Sequence, residues 1–350
     1  MKKFFCIFTL VTILAQLFFL PSCAKKDKFS AYSFDYFDTV TSIVGYETSK
    51  EAFDETKQLI MSELEDFHRL FTIYDRYEGI NNLCVVNSVS DGKHQAVEVD
   101  QKIIELLKYS KEMYQKTGGK VNVAMGSVLS IWHEHREQGI NDPANATLPD
   151  HQELIEASLH TDINNVIIDE TNSTVFLSDP DMLLDVGAIA KGYAVEMIAQ
   201  MLQEKEVSGY IINVGGNVRT IGTRKNGEKW IVGIENPEST KDNAYLNKLA
   251  LADLSLVTSG SYQRYYVVDG KNYNHIIDPD TLAPSEKYMS VSVVTKSSAL
   301  ADALSTALFS LSFEKGLEMI EELEGVEAMW FFPDGDIKYS SGFSNYITDN

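Results

Sequence analysis

The stretch AIAKGYAVEMIAQMLQEKEVSGYIINVGGNVRTIG, residues 188–222, combines one helical pattern with two strand patterns. Residues 188–204 are predicted to form a helix, and the apolar run at residues 210–214 is typical of a strand. A second strand is predicted to begin at Arg219. The glycines at 215 and 216 fit either a tight turn or a close approach of the backbone to a ligand. A helix followed by consecutive strands favours an α+β fold over a doubly wound parallel one.

The rest of the chain has the same mixed order of helices and hairpins. Residues 134–151 contain several Gly, Asn and Pro residues and are predicted to be a surface loop or a subdomain boundary. The sequence therefore predicts one α+β domain with mixed or antiparallel sheets and flanking helices. Further helices are expected at 49–71, 101–117, 299–311 and 313–323, and further strands at 32–46, 166–168, 174–177, 230–234, 249–258, 265–268, 290–295, 326–332 and 337–339.

The composition excludes several classes of protein. The 350 residues include 30 Lys and Arg against 51 Asp and Glu, which gives a net charge of −21. A surface of this sign repels a phosphate backbone, so no nucleic acid is expected as a partner. Three cysteines in a chain of this length cannot build a disulfide framework or a zinc site made of several cysteines.

The first residues have the pattern of a bacterial lipoprotein leader. Lys2 and Lys3 precede an apolar run at 4–20, which is short for a membrane-spanning helix. The sequence LPSCA at 20–24 then resembles a lipobox, with Cys23 as the lipidated residue. We expect a signal peptide at 1–22, the lipidated cysteine and a tether at 23–33, and the domain at 34–350, anchored to the cell membrane on its extracytoplasmic side. The alternative is an uncleaved anchor helix with an incidental cysteine.

The segment DVGAIAKGY at 185–193 is a candidate anion site. An apolar strand end is followed by Asp185, Gly187 permits a tight turn, and a helix then begins. The free N–H groups of a helix start attract anions, and Lys191 adds a positive charge. This arrangement suits a nucleotide diphosphate, although a capped helix start with a surface lysine explains the same residues.

Two further segments could carry polar chemistry. In TSGSYQRY at 258–265, Ser259 and Gly260 form a polar loop, but the segment lacks the G-x-S-x-G pattern of a serine hydrolase. In HIIDP at 275–279, His275 has a side chain that titrates near neutral pH and can accept a proton from a hydroxyl nucleophile. A lone histidine with a structural role is the alternative.

The segment ADALSTA at 301–307 is a candidate metal site. Asp302 and Thr306 are four residues apart, so on a helix both side chains point at one place. A carboxylate and a hydroxyl suit Mg²⁺, and the absence of nearby nitrogen or sulfur ligands disfavours zinc. A helix that turns small residues to the core is the alternative, but a buried aspartate without a partner would be costly.

Together these segments resemble the FAD:protein FMN transferases, the ApbE-like lipoproteins, over residues 34–343. The resemblance rests on D-x-G-x-x-A-K-G-Y, N-x-G-G-N, T-S-G-x-Y-x-R-Y, H-I-I-D-P and A-D-A-x-S-T-A. It implies a single T-fold-related α+β domain that binds FAD and Mg²⁺. The implied reaction moves the FMN half of FAD onto a Thr or Ser hydroxyl of an acceptor protein and releases AMP.

The resemblance also implies roles for individual residues. His275 would be the base, and Asp302 would act with it in catalysis. Phe37 and Asn122 stand where this chain departs from the family pattern, with FDT in place of M-G-T and GGKVN in place of G-G-x-F-D. Leu282 occupies a position where the family has Gly. The implied Mg²⁺ ligands are the backbone carbonyl of Ala188 and the side chains of Asp302 and Thr306. The implied FAD contacts are Phe37, Val121, Asn122, Asp185, Lys191, Ser259, Gly260, His275 and Ile277, with Ile277 and Asp278 framing the flavin site.

Other functions remain open at the level of sequence. Water in place of the acceptor hydroxyl would make the same site an FAD pyrophosphatase, which gives FMN and AMP. A flavin-binding lipoprotein without chemistry is a second alternative. The acceptor implied by the resemblance is a membrane redox subunit that carries a D-x-x-[ST]-x-[ST] segment.

Overall fold

The structure is a computed structural model that describes residues 25–88, 95–239 and 243–349. The predicted leader and Cys23 lie outside the described residues. No helix in the described part of the chain is both long and apolar enough to cross a membrane. The helices are α1 (Lys50–Phe71), α2 (Leu83–Ser88), α3 (Gln101–Lys116), α4 (Gly126–Asn141), α5 (His151–Ser158), α6 (Ala190–Glu204), α7 (Ser298–Ser310) and α8 (Phe313–Glu321).

The main sheet has eight antiparallel strands in the order β1-β2-β6-β7-β10-β15-β16-β17. The hairpin predicted after residue 204 lies at its centre, where Val214 pairs with Asn217. Gly215 and Gly216 turn it with φ of 55° and 90°, a backbone region that favours glycine. The strands are β1 (Asp27–Tyr36), β2 (Thr39–Glu47), β3 (Val97–Glu98), β4 (Val166–Asp169), β5 (Thr174–Leu177), β6 (Tyr210–Val214), β7 (Asn217–Ile221), β8 (Trp230–Glu235), β9 (Tyr245–Leu251), β10 (Ser255–Gly260), β11 (Tyr265–Val268), β12 (Lys271–Asn274), β13 (Ile277–Asp278), β14 (Ala283–Pro284), β15 (Ser290–Thr295), β16 (Glu327–Phe331) and β17 (Ile337–Tyr339).

Helices cover one face of the main sheet. Helix α6 packs on α1, on α7 and on β7, and α7 also packs on β10 and β15. Ala194 and Ile198 on α6 and Ala303 and Ala307 on α7 are fully buried, so small residues let the two helices approach each other and the sheet. The opposite face is covered at its centre by the β8–β9 hairpin, whose side chains join a second apolar cluster that includes Trp230.

A smaller lobe packs beside the main sheet and forms one wall of the cleft described below. It contains α4, α5 and the short hairpins β11–β12 and β13–β14. Its core includes Val128 and Trp132 of α4 together with Tyr266 and Ile277 of the hairpins. The fold is therefore the α+β arrangement that the sequence predicts, with both hairpins and helices contributing to one domain.

Three boundaries differ from the prediction. Strand β1 begins at Asp27, so residues expected to be tether already pair with β2. The expected strand at 32–46 is a hairpin, because Phe37 and Asp38 adopt positive φ values of 55° and 49° and reverse the chain. The expected strand at 249–258 is divided between β9 and β10, which belong to different sheets and are separated at Asp253 with φ of 54°.

The predicted loop at 134–151 is also wrong for its first part. Helix α4 continues to Asn141, and Gly139 is buried within it against Tyr266. An alanine or larger residue at 139 would overlap that ring, so the glycine reflects close packing and not a break in the helix. Helix α5 then begins at His151, with Asp150 as its N-cap.

Candidate active site

A polar cleft lies between the start of α6, one side of α7 and the smaller lobe. One wall contains the start of α6, the turn after β6 and the inward side of α7, and the other contains α4 and the loop before β13. Eleven of the predicted site residues line it: Val121, Asn122, Asp185, Ala188, Lys191, Ser259, Gly260, His275, Ile277, Asp302 and Thr306. The structure thus brings together segments that are far apart in the sequence.

Asp302 is the most deeply buried acid in the cleft, with 4% of the residue exposed. Its Oδ2 accepts a hydrogen bond of 2.7 Å from the backbone N–H of Gly192. Burial raises the pKa of Asp302, and nearby Lys191, the Gly192 amide and Asn217 only partly oppose this effect. No ion pair within the described ranges includes Asp302, so a cation at this place would offset the cost of burying its charge.

Two more residues with oxygen atoms suited to a metal ion line the cleft with Asp302. Thr306 is one turn further along α7 and lines the same cleft. Ala188 lies just before α6, where Ile189 has a non-helical φ of −139°. Because the Gly192 amide is bound to Asp302, it does not close a helical hydrogen bond to the Ala188 carbonyl. A carboxylate, a hydroxyl and a backbone carbonyl form a set of oxygen ligands that suits Mg²⁺.

Gly192 is the point of closest approach between α6 and α7. A Cβ atom built at this position would overlap the side chain of Asp302 and would lie 2.5 Å from the carbonyl oxygen of Ser298. Both neighbours belong to α7, and neither is the end of a flexible side chain. Only glycine lets the backbone of α6 reach the carboxylate in this way.

We expect Gly192→Ala to push α6 away from α7 and to disturb the site more than the fold. Overpacking of a buried contact costs about 1–3 kcal/mol of unfolding free energy. The measurement is urea unfolding together with the turnover rate of the purified variant. Gln203→Ala, on the exposed side of the same helix, is the control and should change neither. Wild-type stability and activity in Gly192→Ala would contradict this account of the helix contact.

His275 lies half-buried in the other wall of the cleft. Its Nδ1 lies 3.1 Å from the carbonyl oxygen of Arg264. Because a carbonyl oxygen can only accept, Nδ1 carries the proton of the neutral ring and Nε2 keeps a free lone pair. Burial, with a contribution from the Arg264 charge, lowers the pKa of His275 to about 4. The ring is therefore neutral at physiological pH and able to accept a proton.

A network of charges holds the loop that carries His275. Asp278 does not line the cleft; its carboxylate is 2.6 Å from Nζ of Lys120 and 3.0 Å from Nζ of Lys287. Burial alone would raise the pKa of Asp278, but hydrogen bonds from the two lysines lower it below its usual value. The network joins the segment at 118–122 to the loop at 275–278, so Asp278 positions the site from behind and does not frame the flavin directly.

Asp185 and Lys191 occupy the wall at the start of α6. Oδ1 of Asp185 accepts a hydrogen bond of 2.8 Å from the N–H of Gly187, and Nζ of Lys191 donates to the Gly187 carbonyl oxygen at 3.2 Å. Burial raises the pKa of Asp185, and the Gly187 amide together with His133, Lys191 and Arg136 opposes that rise. The segment therefore presents both a carboxylate and an ammonium to a ligand in the cleft.

Phe37, like Asp278, lies outside the cleft lining. Its ring makes an edge contact with His68, and its N–H donates to Nδ1 of His68 at 3.2 Å. The neighbouring Thr39 does line the cleft. Ser259 and Gly260, predicted to form a polar loop, are instead the last residues of β10, and Ser259 is hydrogen-bonded at 2.9 Å to Ser305 of α7, the helix that carries Asp302.

Several lining residues were not predicted from the sequence. The Tyr74 ring packs at a tilt against the His133 ring, with centroids 5.3 Å apart, and Nη2 of Arg136 lies 2.6 Å from Nδ1 of His133. All three line the cleft, and so does Arg264. The two residues of α4 are three apart, a helical spacing that is hidden when residues 134–141 are taken for a loop.

A group of acidic residues lies elsewhere. His160 has Nδ1 3.0 Å from Asp179 and Nε2 4.0 Å from Asp181. These side chains could together approach a metal ion, but they belong to none of the predicted motifs and do not line the cleft. A hydrogen bond between His160 and Asp179 at the surface explains this arrangement without a ligand.

Oxygen ligands, cationic side chains and a neutral histidine in one cleft are the groups of an enzyme that cleaves a phosphoanhydride. The chain belongs to the ApbE family, whose model matches residues 37–330. An "FAD:protein FMN transferase" of Treponema pallidum is 34% identical over 265 residues, which are 72% of this chain and 71% of that protein. One of Klebsiella pneumoniae is 32% identical over 283 residues, 78% of this chain and 84% of its own.

Solved structures show the same fold. The crystal structure of an ApbE protein from Thermotoga maritima superposes with a TM-score of 0.79 at 27% identity and covers 92% of this chain and all of its own. The flavin transferase ApbE from Vibrio cholerae superposes with a TM-score of 0.73 at 22% identity, which supports the fold alone. The α+β domain predicted from the sequence is thereby confirmed.

Proposed function

We propose that this protein is an FAD:protein FMN transferase, which moves the FMN moiety of FAD onto a Thr or Ser hydroxyl of an acceptor flavoprotein and releases AMP. The observation that carries the proposal is the cleft itself. The buried carboxylate of Asp302, the ring of His275 and the cationic side chains of Lys191 and Arg264 all line it. The relatives that share most of the chain have this activity in their names.

The oxygen ligands Ala188, Asp302 and Thr306 fit Mg²⁺, because a buried carboxylate without an ion-pair partner favours a cation beside it. When bound there, Mg²⁺ would neutralise negative charge on the pyrophosphate. Lys191 would bind a phosphate oxygen, and Asp185 would orient the same nucleotide. Val121, Asn122, Ser259, Gly260 and Ile277 would contact FAD elsewhere along the cleft.

His275 supplies the proton acceptor in the proposed reaction. Its Nε2 takes the proton of the acceptor hydroxyl as the hydroxyl oxygen bonds to the FMN-side phosphorus. The bond from that phosphorus to the bridging oxygen breaks, and its electrons leave with AMP. The network of Lys120, Asp278 and Lys287 keeps the histidine loop in place.

The location of the enzyme is also a proposal. The lipobox at 20–24 supports lipidation of Cys23 and anchoring on the extracytoplasmic side of the cell membrane. An acceptor in a membrane redox complex would then be reached on the same side. Anchoring would raise the local concentration of enzyme and acceptor without changing the chemistry.

The test uses the chain from Ala24 onward with FAD, Mg²⁺ and an acceptor domain that carries the threonine motif. We expect covalent flavin fluorescence on the acceptor in a denaturing gel, equimolar AMP, and loss of both with EDTA. AMP and free FMN without labelled acceptor would instead support an FAD pyrophosphatase. Bound FAD with neither product would support a flavin carrier and overturn the proposal.

A further inference from the structure

The outer face of the β1–β2 hairpin exposes large apolar side chains. Tyr32 and Phe34 are 67% and 74% exposed, and Val40 of β2 is 44% exposed. Phe29 and Ala31, the alternate residues of β1, pack on the core, so the strand has one buried side and one side that nothing in the described chain covers. Strand β1 is an edge strand of the main sheet, and no strand among residues 25–88, 95–239 and 243–349 pairs with its outer edge.

The chain that leads to this face limits what can lie against it. Asp27, the first residue of β1, is four residues after Cys23. Four residues span at most about 14 Å even when fully extended. If Cys23 is lipidated, the start of β1 is therefore held close to the headgroup layer of the membrane.

The charges near the anchor differ from those of the whole chain. The chain carries a net charge of −21, yet Lys25, Lys26 and Lys28 are three of the first four described residues. Basic residues next to a lipid anchor are attracted to anionic headgroups. Lys28, Ser30 and Tyr32 alternate on the outer side of β1, so the basic and aromatic residues belong to the same surface.

We propose that the outer face of the β1–β2 hairpin, formed by Lys28, Tyr32, Phe34 and Val40, lies on the surface of the membrane to which Cys23 is anchored. The proposal rests on the lipid anchoring proposed above. Tyrosine and phenylalanine rings are stable at the interface between headgroups and acyl chains, where the tyrosine hydroxyl stays hydrated. A lipidated Cys23 would hold the start of the chain at the membrane without fixing how the domain is turned, and a second contact of this kind would set that orientation.

This orientation places the cleft beside the membrane. The turn of the β1–β2 hairpin lies at the edge of the cleft. Arg264 lines the cleft, and its Nη2 donates to the Asp38 carbonyl oxygen at 3.0 Å; Thr39 also lines the cleft. If the hairpin lies along the membrane surface, the cleft is held close to that surface, where the extracytoplasmic loops of membrane proteins are also found. The face would thus select acceptors that are themselves held at the membrane.

The test uses the full lipidated chain on vesicles of phosphatidylethanolamine and phosphatidylglycerol that contain brominated acyl chains. Tryptophan is introduced as Tyr32→Trp or Phe34→Trp, and the native Trp132, Trp230 and Trp330 are buried and give a constant background. Ile167→Trp is the control. Ile167 is on β4, which packs on α3, and α3 packs on α1, so this residue lies on the side of the sheet that the helices cover and away from the outer face of the hairpin. We expect quenching at 32 and 34 to be at least about twofold stronger than at 167, because only interfacial residues reach the acyl chains.

Equal quenching at all three positions, or none, would overturn the proposal. In a second arm, the quencher is carried by an acceptor protein and the lipids are not brominated. If residues 32 and 34 are quenched only in this arm, the face binds a protein, and that result would also overturn the proposal. Cys23→Ser in the same vesicles separates the proposal of a lipid anchor from the proposal of a membrane-facing hairpin. Loss of membrane attachment in this variant tests the anchor alone. Flavin transfer to a soluble acceptor domain, measured in parallel, should be unchanged by the tryptophan substitutions and tests the catalytic proposal alone.

Discussion

Asp302→Asn is expected to abolish most of the transferase activity while leaving the fold at least as stable as before. A metal ion held by this carboxylate, as proposed above, would supply several kcal/mol of transition-state stabilisation, and about 4 kcal/mol corresponds to about a thousandfold in rate. Asn keeps an oxygen that accepts the Gly192 N–H, so the helix contact is retained. The substitution removes a negative charge, and with it the ligand that we propose for Mg²⁺.

The stability of this variant has a defined sign. Burial raises the pKa of Asp302 in the folded state, so the folded protein loses stability as the pH rises from the unfolded pKa through the folded one. At neutral pH the wild-type charge therefore opposes folding when no cation is bound. We expect Asp302→Asn to have an equal or higher melting temperature without Mg²⁺, and to lose the rise in melting temperature that Mg²⁺ gives the wild type.

Thr306 offers a matched control for the metal site. Thr306→Ser keeps the hydroxyl oxygen, whereas Thr306→Val has the same shape and lacks it. Calorimetric binding of Mg²⁺ and the melting temperature should follow the oxygen and not the shape. Full activity in a folded Asp302→Asn, or equal Mg²⁺ binding in the two Thr306 variants, would contradict the assignment of these residues.

The helix and hairpin at 188–222 could be predicted because local patterns determine them. The apolar spacing of α6 and the alternation of β6 are properties of neighbouring residues, and the paired glycines fit the turn. The hairpin at Phe37 and Asp38 could not be predicted in the same way. Its positive φ values occur at residues other than glycine, and tertiary contacts such as the one from Arg264 hold them.

The sequence motifs identify most residues of the cleft, but not which residues line it and which support it from behind. Asp278 is adjacent to Ile277 in the sequence, yet only Ile277 lines the cleft, because successive residues of a strand point to opposite sides. The lysines that bind Asp278 come from residues 120 and 287, and no local pattern indicates that pairing. The contact of Tyr74 with His133 could not be predicted either, because no local pattern links these two residues.

His275→Gln is expected to lower the turnover rate about a hundred- to ten-thousandfold, which is the range for loss of a general base. The amide cannot accept a proton at any pH in the range of the assay, but its size is close to that of imidazole. His135→Gln is the matched control, because His135 lies on α4 outside the cleft lining and is hydrogen-bonded to Thr147. A His275→Gln protein that retains most of its activity would show that another group takes the proton.

The pH dependence tests the same assignment independently. Burial and the Arg264 charge lower the pKa of His275 to about 4, so the free enzyme keeps a neutral base well below the ordinary histidine value near 6.5. Protonation of the folded form is disfavoured, and stability from this group is lost as the pH falls from 6.5 towards 4. Imidazole signals assigned by comparison with His275→Gln should therefore titrate near 4 in an NMR experiment. Arg264→Gln should raise that pKa, because it removes the second cause of the shift while the carbonyl contact remains. A wild-type signal that titrates near 6.5, or one that does not move in Arg264→Gln, would contradict the environment that the structure gives this histidine.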